Sequence, residues 1–208
     1  MSRERSLAAL LLLTMGLLAS TSINPYERST WLMEVVPVLV AAPLLLFTYR
    51  RFPLTTLLYV LIALHAVVLI CGGAYTYARV PLGFWLQDLL SLSRNPYDRI
   101  GHFMQGFVPA LAAREVLLRG GYIANRRMAA FLCLCVAMAI SAWYELIEWG
   151  AAVALGQAAD DFLGTQGDTW DTQWDMFMCF IGAVTALQTL SGIHDRQIEK
   201  LNRRHYLL

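Results

Sequence analysis

The chain has few charged residues: Asp, Glu, Lys and Arg make up 15% of its 208 residues, whereas 58% are hydrophobic and the mean hydropathy is +0.51. Soluble domains carry about 25% charged residues, so this scarcity excludes an ordinary soluble domain and favours lipid as the surrounding solvent. The net charge is only +1, without the basic excess of many nucleic-acid-binding proteins. We therefore expect membrane lipid as a partner and no nucleic acid, while the sequence leaves protein partners unknown.

Cysteine is also scarce, and its placement excludes a disulfide framework. The four cysteines, Cys71, Cys133, Cys135 and Cys179, all lie inside apolar blocks, where a small polarizable side chain packs well. The sequence also lacks an internal repeat, a heptad pattern and low-complexity segments.

What the sequence does contain is a series of separate apolar blocks, each near the ~20 residues that a membrane-spanning helix needs. We predict an all-α polytopic transmembrane bundle of about six helices, with spans at 6–22, 31–49, 53–73, 100–118, 128–155 and 175–190. The segment 80–90 is too short to span and predicts an interfacial helix between spans three and four, with Trp85 at headgroup depth. A cleaved signal peptide is the alternative for the first block, but its length favours an uncleaved helix.

The basic residues predict the orientation of the bundle. With a cytoplasmic N-terminus, twelve of the sixteen Lys and Arg residues fall on the cytoplasmic side, as the positive-inside bias requires. Both termini are then cytoplasmic, and residues 191–208 form a basic cytoplasmic tail. We expect His194 and His205 in this tail to be solvated.

This topology brings acidic residues from three spans to the extracytoplasmic side. Asp98 and His102 share one face of span four because they are four residues apart, and Glu145 and Glu148 lie near the outer end of span five. Asp168, Asp171 and Asp175 have helical spacings of three and four, so they align on span six if that helix starts early. Unpaired charges at this depth are costly, so we expect these side chains to face one another.

This constellation is open to several interpretations. The acids can be solvated at the outer surface and paired with Arg94 and Arg99. They can instead bind a divalent metal ion through Asp98, His102, Asp168, Asp171 and Asp175, with Glu145 or Glu148 as the catalytic base of a hydrolase or transferase acting on lipid or envelope precursors. A proton- or cation-coupled carrier and a non-enzymatic envelope assembly or resistance factor are the other hypotheses.

Three segments carry a resemblance to known proteins: NPYDRIGHFMQG (95–106), WYELIEW (143–149) and GTQGDTWDTQWDM (164–176). They resemble the YjdF-like family of bacterial inner-membrane proteins over nearly the whole chain, a resemblance that implies a membrane location and supplies no reaction. The chain is more distantly similar to VanZ-like membrane proteins, whose motif positions would fall on Asp98, His102, Phe103, Glu145 or Glu148, Asp175 and Gly182. Cys179 stands where that pattern has asparagine. This second resemblance implies a connection to the cell envelope.

Overall fold

The computed structural model describes residues 2–156 and 163–205, and these residues form α-helices, one short 3₁₀-helix and no β-strand. The helices are α1 (Arg3–Ile23), α2 (Arg28–Thr48), α3 (Thr56–Tyr75), α4 (Pro81–Leu90), α5 (Tyr97–Arg119), α6 (Arg126–Leu155), α7 (Asp171–Thr189) and α8 (Ser191–His205); the 3₁₀-helix is Tyr77–Arg79. The predicted all-helical fold is confirmed.

Polar side chains just before the apolar blocks determine where several helices begin. Ser2 accepts a hydrogen bond from the Arg5 amide at the start of α1, and the Thr55 hydroxyl accepts one from Leu58 in α3. Asn125 caps α6 in the same way. Such caps satisfy amides that have no partner inside the helix. Helices α1 and α6 therefore begin before the predicted spans, whereas α3 begins at Thr56, after the predicted start at residue 53.

Helix α4 confirms the short helix predicted between the third and fourth apolar blocks. Pro81 occupies its first turn, where the missing amide costs nothing, and Ser91 ends it in the left-handed conformation with φ of 51°. Its large apolar side chains, including Leu82, Phe84 and Trp85, are exposed. This exposure suits a lipid interface, although the depth of α4 stays a prediction.

Four helices, α1, α2, α3 and α6, are long and apolar enough to cross a membrane. Helices α7 and α8 reach the same hydropathy only as a pair, and they are bent by 62° with respect to each other. Helix α5 has 23 residues but carries charges at both ends and a buried Arg114–Glu115 pair. The total of six spans therefore stays a prediction.

Helix α5 lies at the centre of the bundle and makes its closest packing with α7. A Cβ atom on Gly106 would collide with the Cys179 carbonyl, and one on Gly182 would collide with the Phe103 carbonyl. These two glycines allow the helix backbones to touch, as small residues do in membrane bundles. The contact fixes the position of the first half of α5 against α7.

The two ends of the bundle differ in charge, and we name them by it. At the basic end, α1, α3 and α6 begin and α5 and α7 finish, held by bonds such as Arg3 to Thr56 and Arg126 to Asp195. At the acidic end, α5 and α7 begin near Asp98 and Asp175, and α6 finishes beyond Glu148.

Candidate metal centre

The acidic end buries a group of ionisable side chains from four helices. Asp98 and His102 come from the first turns of α5 and Asp175 from α7, with 6%, 5% and 1% of their surface exposed. Glu145 and Glu148, near the end of α6, are 8% and 9% exposed. The sequence prediction that these residues face one another is met for this set. None of them is solvated in the way that free surface acids are.

Three of these residues have the geometry of a metal centre. Asp98, His102 and Asp175 each offer a ligand atom, and these atoms lie within 4.8 Å of one another. The His102 Nε2 atom is 3.5 Å from Asp98 Oδ1 and 3.8 Å from Asp175 Oδ2. Two carboxylates and one imidazole suit a divalent cation such as Mn²⁺, Mg²⁺ or Zn²⁺.

The second nitrogen of His102 sets the orientation of the ring. His102 Nδ1 donates to Gln105 Oε1 at 3.1 Å, an interaction of the kind that orients metal-binding histidines. When Nδ1 carries the proton, the lone pair of Nε2 points toward Asp98 and Asp175. A lone pair that faces two carboxylates is repelled by them unless a proton or a metal ion lies between.

Two buried carboxylate oxygens at this end lack a hydrogen-bond partner among the described residues. They are Oδ1 of Asp175 and Oε1 of Glu145, and the latter lies 4.0 Å from His102 Nδ1. A buried carboxylate oxygen without a partner carries a desolvation penalty of about 1–3 kcal/mol or more. Such an atom therefore needs an explanation, and a bound ion is one.

Asp168 and Asp171, the other two predicted ligands, lie beside this centre and contact arginine. Arg94 forms ion pairs with Asp171 and, at 3.5 Å, with both Asp168 and Asp98. Arg99 binds Asp168 at 3.0 Å. The expected pairing of acids with these two arginines is thus seen for Asp168 and Asp171, and Arg94 connects them to the Asp98 carboxylate.

Arg94 itself belongs to the connection between α4 and α5, and neighbouring residues hold that connection in place. The Asn95 side chain donates to the Val80 carbonyl at 3.1 Å and accepts from the Tyr97 amide at 3.0 Å. Asn95 is fully buried, and Gly83 leaves space for it. The structural role of Asn95 is not predictable from the sequence, because it depends on contacts between α4 and α5.

A further acid, Glu34 of α2, closes the inner side of the group. It is 2% exposed and accepts a hydrogen bond of 2.8 Å from the Tyr144 hydroxyl. The Tyr144 ring meets the His102 ring edge-on, with centroids 6.1 Å apart. Tyr144 thus joins the α2 carboxylate to the wall of the metal centre.

A second buried polar network lies at the basic end and corrects one expectation. His194 was expected to be solvated, yet it is fully buried. Its Nε2 atom lies 2.9 Å from Glu115 Oε2, and its Nδ1 atom accepts from Arg114 at 3.3 Å. The reason is the bend after α7, which turns the first turn of α8 back onto α5.

In the network at the basic end, each carboxylate oxygen accepts at least one hydrogen bond. Glu115 accepts from the Thr55 amide at 2.8 Å, from the Thr55 hydroxyl at 2.7 Å and from Arg119 at 2.6 Å, in addition to His194. A buried carboxylate whose oxygens all accept hydrogen bonds contributes to the rigidity of the fold. The candidate metal centre at the acidic end differs, because Asp175 within it and Glu145 beside it each have an unsatisfied oxygen. The four cysteines are free, as predicted.

Comparison with known proteins agrees with the resemblance. A family model described as "Predicted membrane protein (DUF2238)" matches residues 6–196. The chain is 58% identical to "Inner membrane protein YjdF" of Escherichia coli strain K12 over 201 residues, which cover 94% of this chain and 96% of that protein. No solved structure matches. The more distant similarity to VanZ-like proteins stays a prediction.

Proposed function

Because the chain belongs to the DUF2238 family of predicted membrane proteins, we propose that it is an inner-membrane protein whose acidic end binds a divalent cation. We further propose that this cation serves a hydrolase or transferase reaction on a lipid or envelope precursor. The observation that carries the proposal is the buried trio Asp98, His102 and Asp175, together with the unpartnered oxygens beside it.

The proposed topology has six spans, with α1, α2, α3, α5, α6 and α7 crossing the membrane. The positive-inside bias then puts the basic end in the cytoplasm and the acidic end outside. Helix α5 is the least apolar of the six. It can cross because its polar residues face neighbouring helices, where polar groups in membrane proteins find partners.

The chemistry follows from the depth and the composition of the centre. A divalent cation held by Asp98, His102 and Asp175 would polarise a phosphoryl or carbonyl oxygen and acidify a bound water molecule. We assign to Glu145 the removal of the proton from that water; the support is its unpartnered oxygen, which lies 4.0 Å from the His102 ring on the Nδ1 side. Glu148, one turn further along α6, is the other candidate base. A substrate with its reactive group near the membrane surface would reach this depth, which favours a lipid-linked compound.

A carrier is the second candidate, and the second buried ionisable network at the basic end favours it. Between the two networks, however, α5 presents Val108, Ala110 and Leu111, which are buried in apolar clusters. No chain of polar groups links Gln105 to Arg114 along α5. We therefore rank the carrier below the metal-assisted reaction.

The first test is elemental analysis of detergent-purified protein after exposure to divalent metals. We expect about one metal ion per chain in the wild type and loss of it in His102→Ala and Asp175→Asn. Asp88→Asn, at an exposed position of α4, is the matched control and should keep the metal. A folded wild-type protein without metal, or equal metal in all variants, would contradict the proposal and favour a proton between His102 and the aspartates.

The second test separates binding from catalysis. We expect Glu145→Gln to retain metal yet lose turnover of membrane lipid extracts by a factor of about 10²–10⁴, as for the loss of a general base. Mass spectrometry of the extract before and after incubation identifies the product. Metal binding without any product would indicate a structural metal, and uptake of cations into proteoliposomes that stops in Glu145→Gln would indicate the carrier.

A further inference from the structure

A polar cavity of about 250 Å³ opens at the basic end, between the beginnings of α1 and α3 and the middle of α8. The residues that line it are Arg3, Thr55, Thr56, Gln197, Lys200 and Leu201. Two of the six side chains are cationic, two carry hydroxyl groups, and none is acidic. The two cations suit an anion, whereas the Thr55 hydroxyl already donates to Glu115 and is not available to a ligand.

The two cations differ in how they are held. The Nε atom of Arg3 donates to the Thr56 hydroxyl at 3.0 Å, and its guanidinium also binds the Leu54 carbonyl. Lys200 is exposed and has no ion pair or hydrogen bond among residues 2–156 and 163–205. One cation is therefore fixed in the wall of the cavity, and the other can reach a ligand.

A separate apolar groove lies further along the same two helices, α1 and α3. It has a volume of about 290 Å³ and is lined by Leu10, Leu13, Thr14 and Leu17 of α1 and by Val60, Ala63, Leu64 and Val67 of α3. The Thr14 hydroxyl donates to the Leu10 carbonyl at 2.9 Å, so the groove presents no unsatisfied donor. At 1.5 Å per residue, Val60 lies about 6 Å along α3 from Thr56.

We infer that this seam binds one anionic phospholipid. Its phosphate occupies the cavity between Arg3 and Lys200, and an acyl chain lies in the groove between α1 and α3. A free phosphate or a nucleotide would use the cavity alone and leave the groove without a role. A cationic cavity at the start of α1 and α3, with an apolar groove further along the same two helices, is what a phospholipid, with its charged head and apolar tail, complements.

The inference is tested by native mass spectrometry of the full chain, titrated with phosphatidylglycerol or with phosphatidylcholine. Each basic residue near the surface contributes roughly 1 kcal/mol to anionic lipid binding, so Lys200→Gln should weaken phosphatidylglycerol binding roughly fivefold. Lys200→Arg should restore it. Arg50→Gln is the matched control, because Arg50 is exposed and does not line the cavity.

The groove has its own variant, Ala63→Trp, which fills the space between α1 and α3. We expect it to weaken phosphatidylglycerol binding while glycerol 3-phosphate fails to compete. Equal losses in Arg50→Gln and Lys200→Gln would reduce the effect to general surface charge and overturn the inference. Binding of phosphatidylcholine by the wild-type chain as strongly as phosphatidylglycerol would also overturn the inference. Competition by glycerol 3-phosphate with no effect of Ala63→Trp would replace the lipid with a soluble phosphate.

Discussion

The backbone contact between α5 and α7 leads to a prediction about stability. In Gly182→Ala, the new Cβ atom collides with the Phe103 carbonyl. A backbone oxygen inside a helix cannot turn away as the end of a flexible side chain can, so the two helices must separate. Overpacking of a core costs about 1–3 kcal/mol, and we expect the upper part of that range here. For a chain of this size, a loss of about 1–3 kcal/mol corresponds to a fall in Tm of roughly 2–12 °C, and we expect the larger values.

The same substitution should weaken metal binding without touching a ligand. His102 of α5 and Asp175 of α7 are 3.8 Å apart across this contact, and metal sites tolerate deviations of only about 0.2 Å. Thermal unfolding of the purified protein, with and without metal, measures both effects. Gly16→Ala is the matched control, because nothing lies within 4 Å of a Cβ atom there; it should stabilise α1 by about 0.5–1 kcal/mol. A Tm for Gly182→Ala equal to that of Gly16→Ala would refute the reasoning.

Three further predictions concern other parts of the bundle. His194→Ala removes one donor from the buried Glu115, which keeps Thr55 and Arg119, and should destabilise the chain by about 1.5–3 kcal/mol, the range for a hydrogen bond to a charged group. Arg126→Gln, at an exposed ion pair, should cost under about 1 kcal/mol; chemical unfolding compares the two. Hydrogen bonds from Ser29 and Thr30 lower the pKa of Glu27 from 4.5 to about 2. The stability that the Glu27 carboxylate gives α2 should therefore be full above pH 4.5 and should fall as the pH drops toward 2. Glu27→Gln should remove this part of the pH dependence of Tm. Arg94→Lys loses the planar fork that binds several acids at once and should lower the Tm by a few degrees, and an unchanged Tm would show that one ion pair suffices.

The sequence predicted the helical fold because apolar blocks of this length have few other solutions. It also predicted the pairing of Asp98 with His102, since a spacing of four residues is enough to place both on one face. The alignment of Asp171 with Asp175 required the helix to start early, and α7 does begin at Asp171.

Other features depend on tertiary contacts that no local pattern encodes. Arg94 lies three residues before the start of α5 and binds acids more than seventy positions away. His194 follows a bend, and its position in the hydrophilic segment 191–208 predicted a solvated side chain. The charged residues Arg114 and Glu115 inside a predicted span did indicate that these two side chains need polar partners. Five metal ligands were predicted from the sequence. The structure gathers three of them, Asp98, His102 and Asp175, into one cluster, whereas the other two, Asp168 and Asp171, bind arginine.

The bond between Glu115 and His194 also bears on how the chain is made. The two residues are separated by 79 positions, so in the proposed six-span topology α5 enters the membrane before the helix that carries His194 has left the ribosome. Until then, Glu115 has only Thr55 and Arg119 as partners among the described residues. Helix α8 thus completes this network, and chains truncated before Ser191 should be degraded by membrane proteases faster than full-length chains in a pulse-chase experiment.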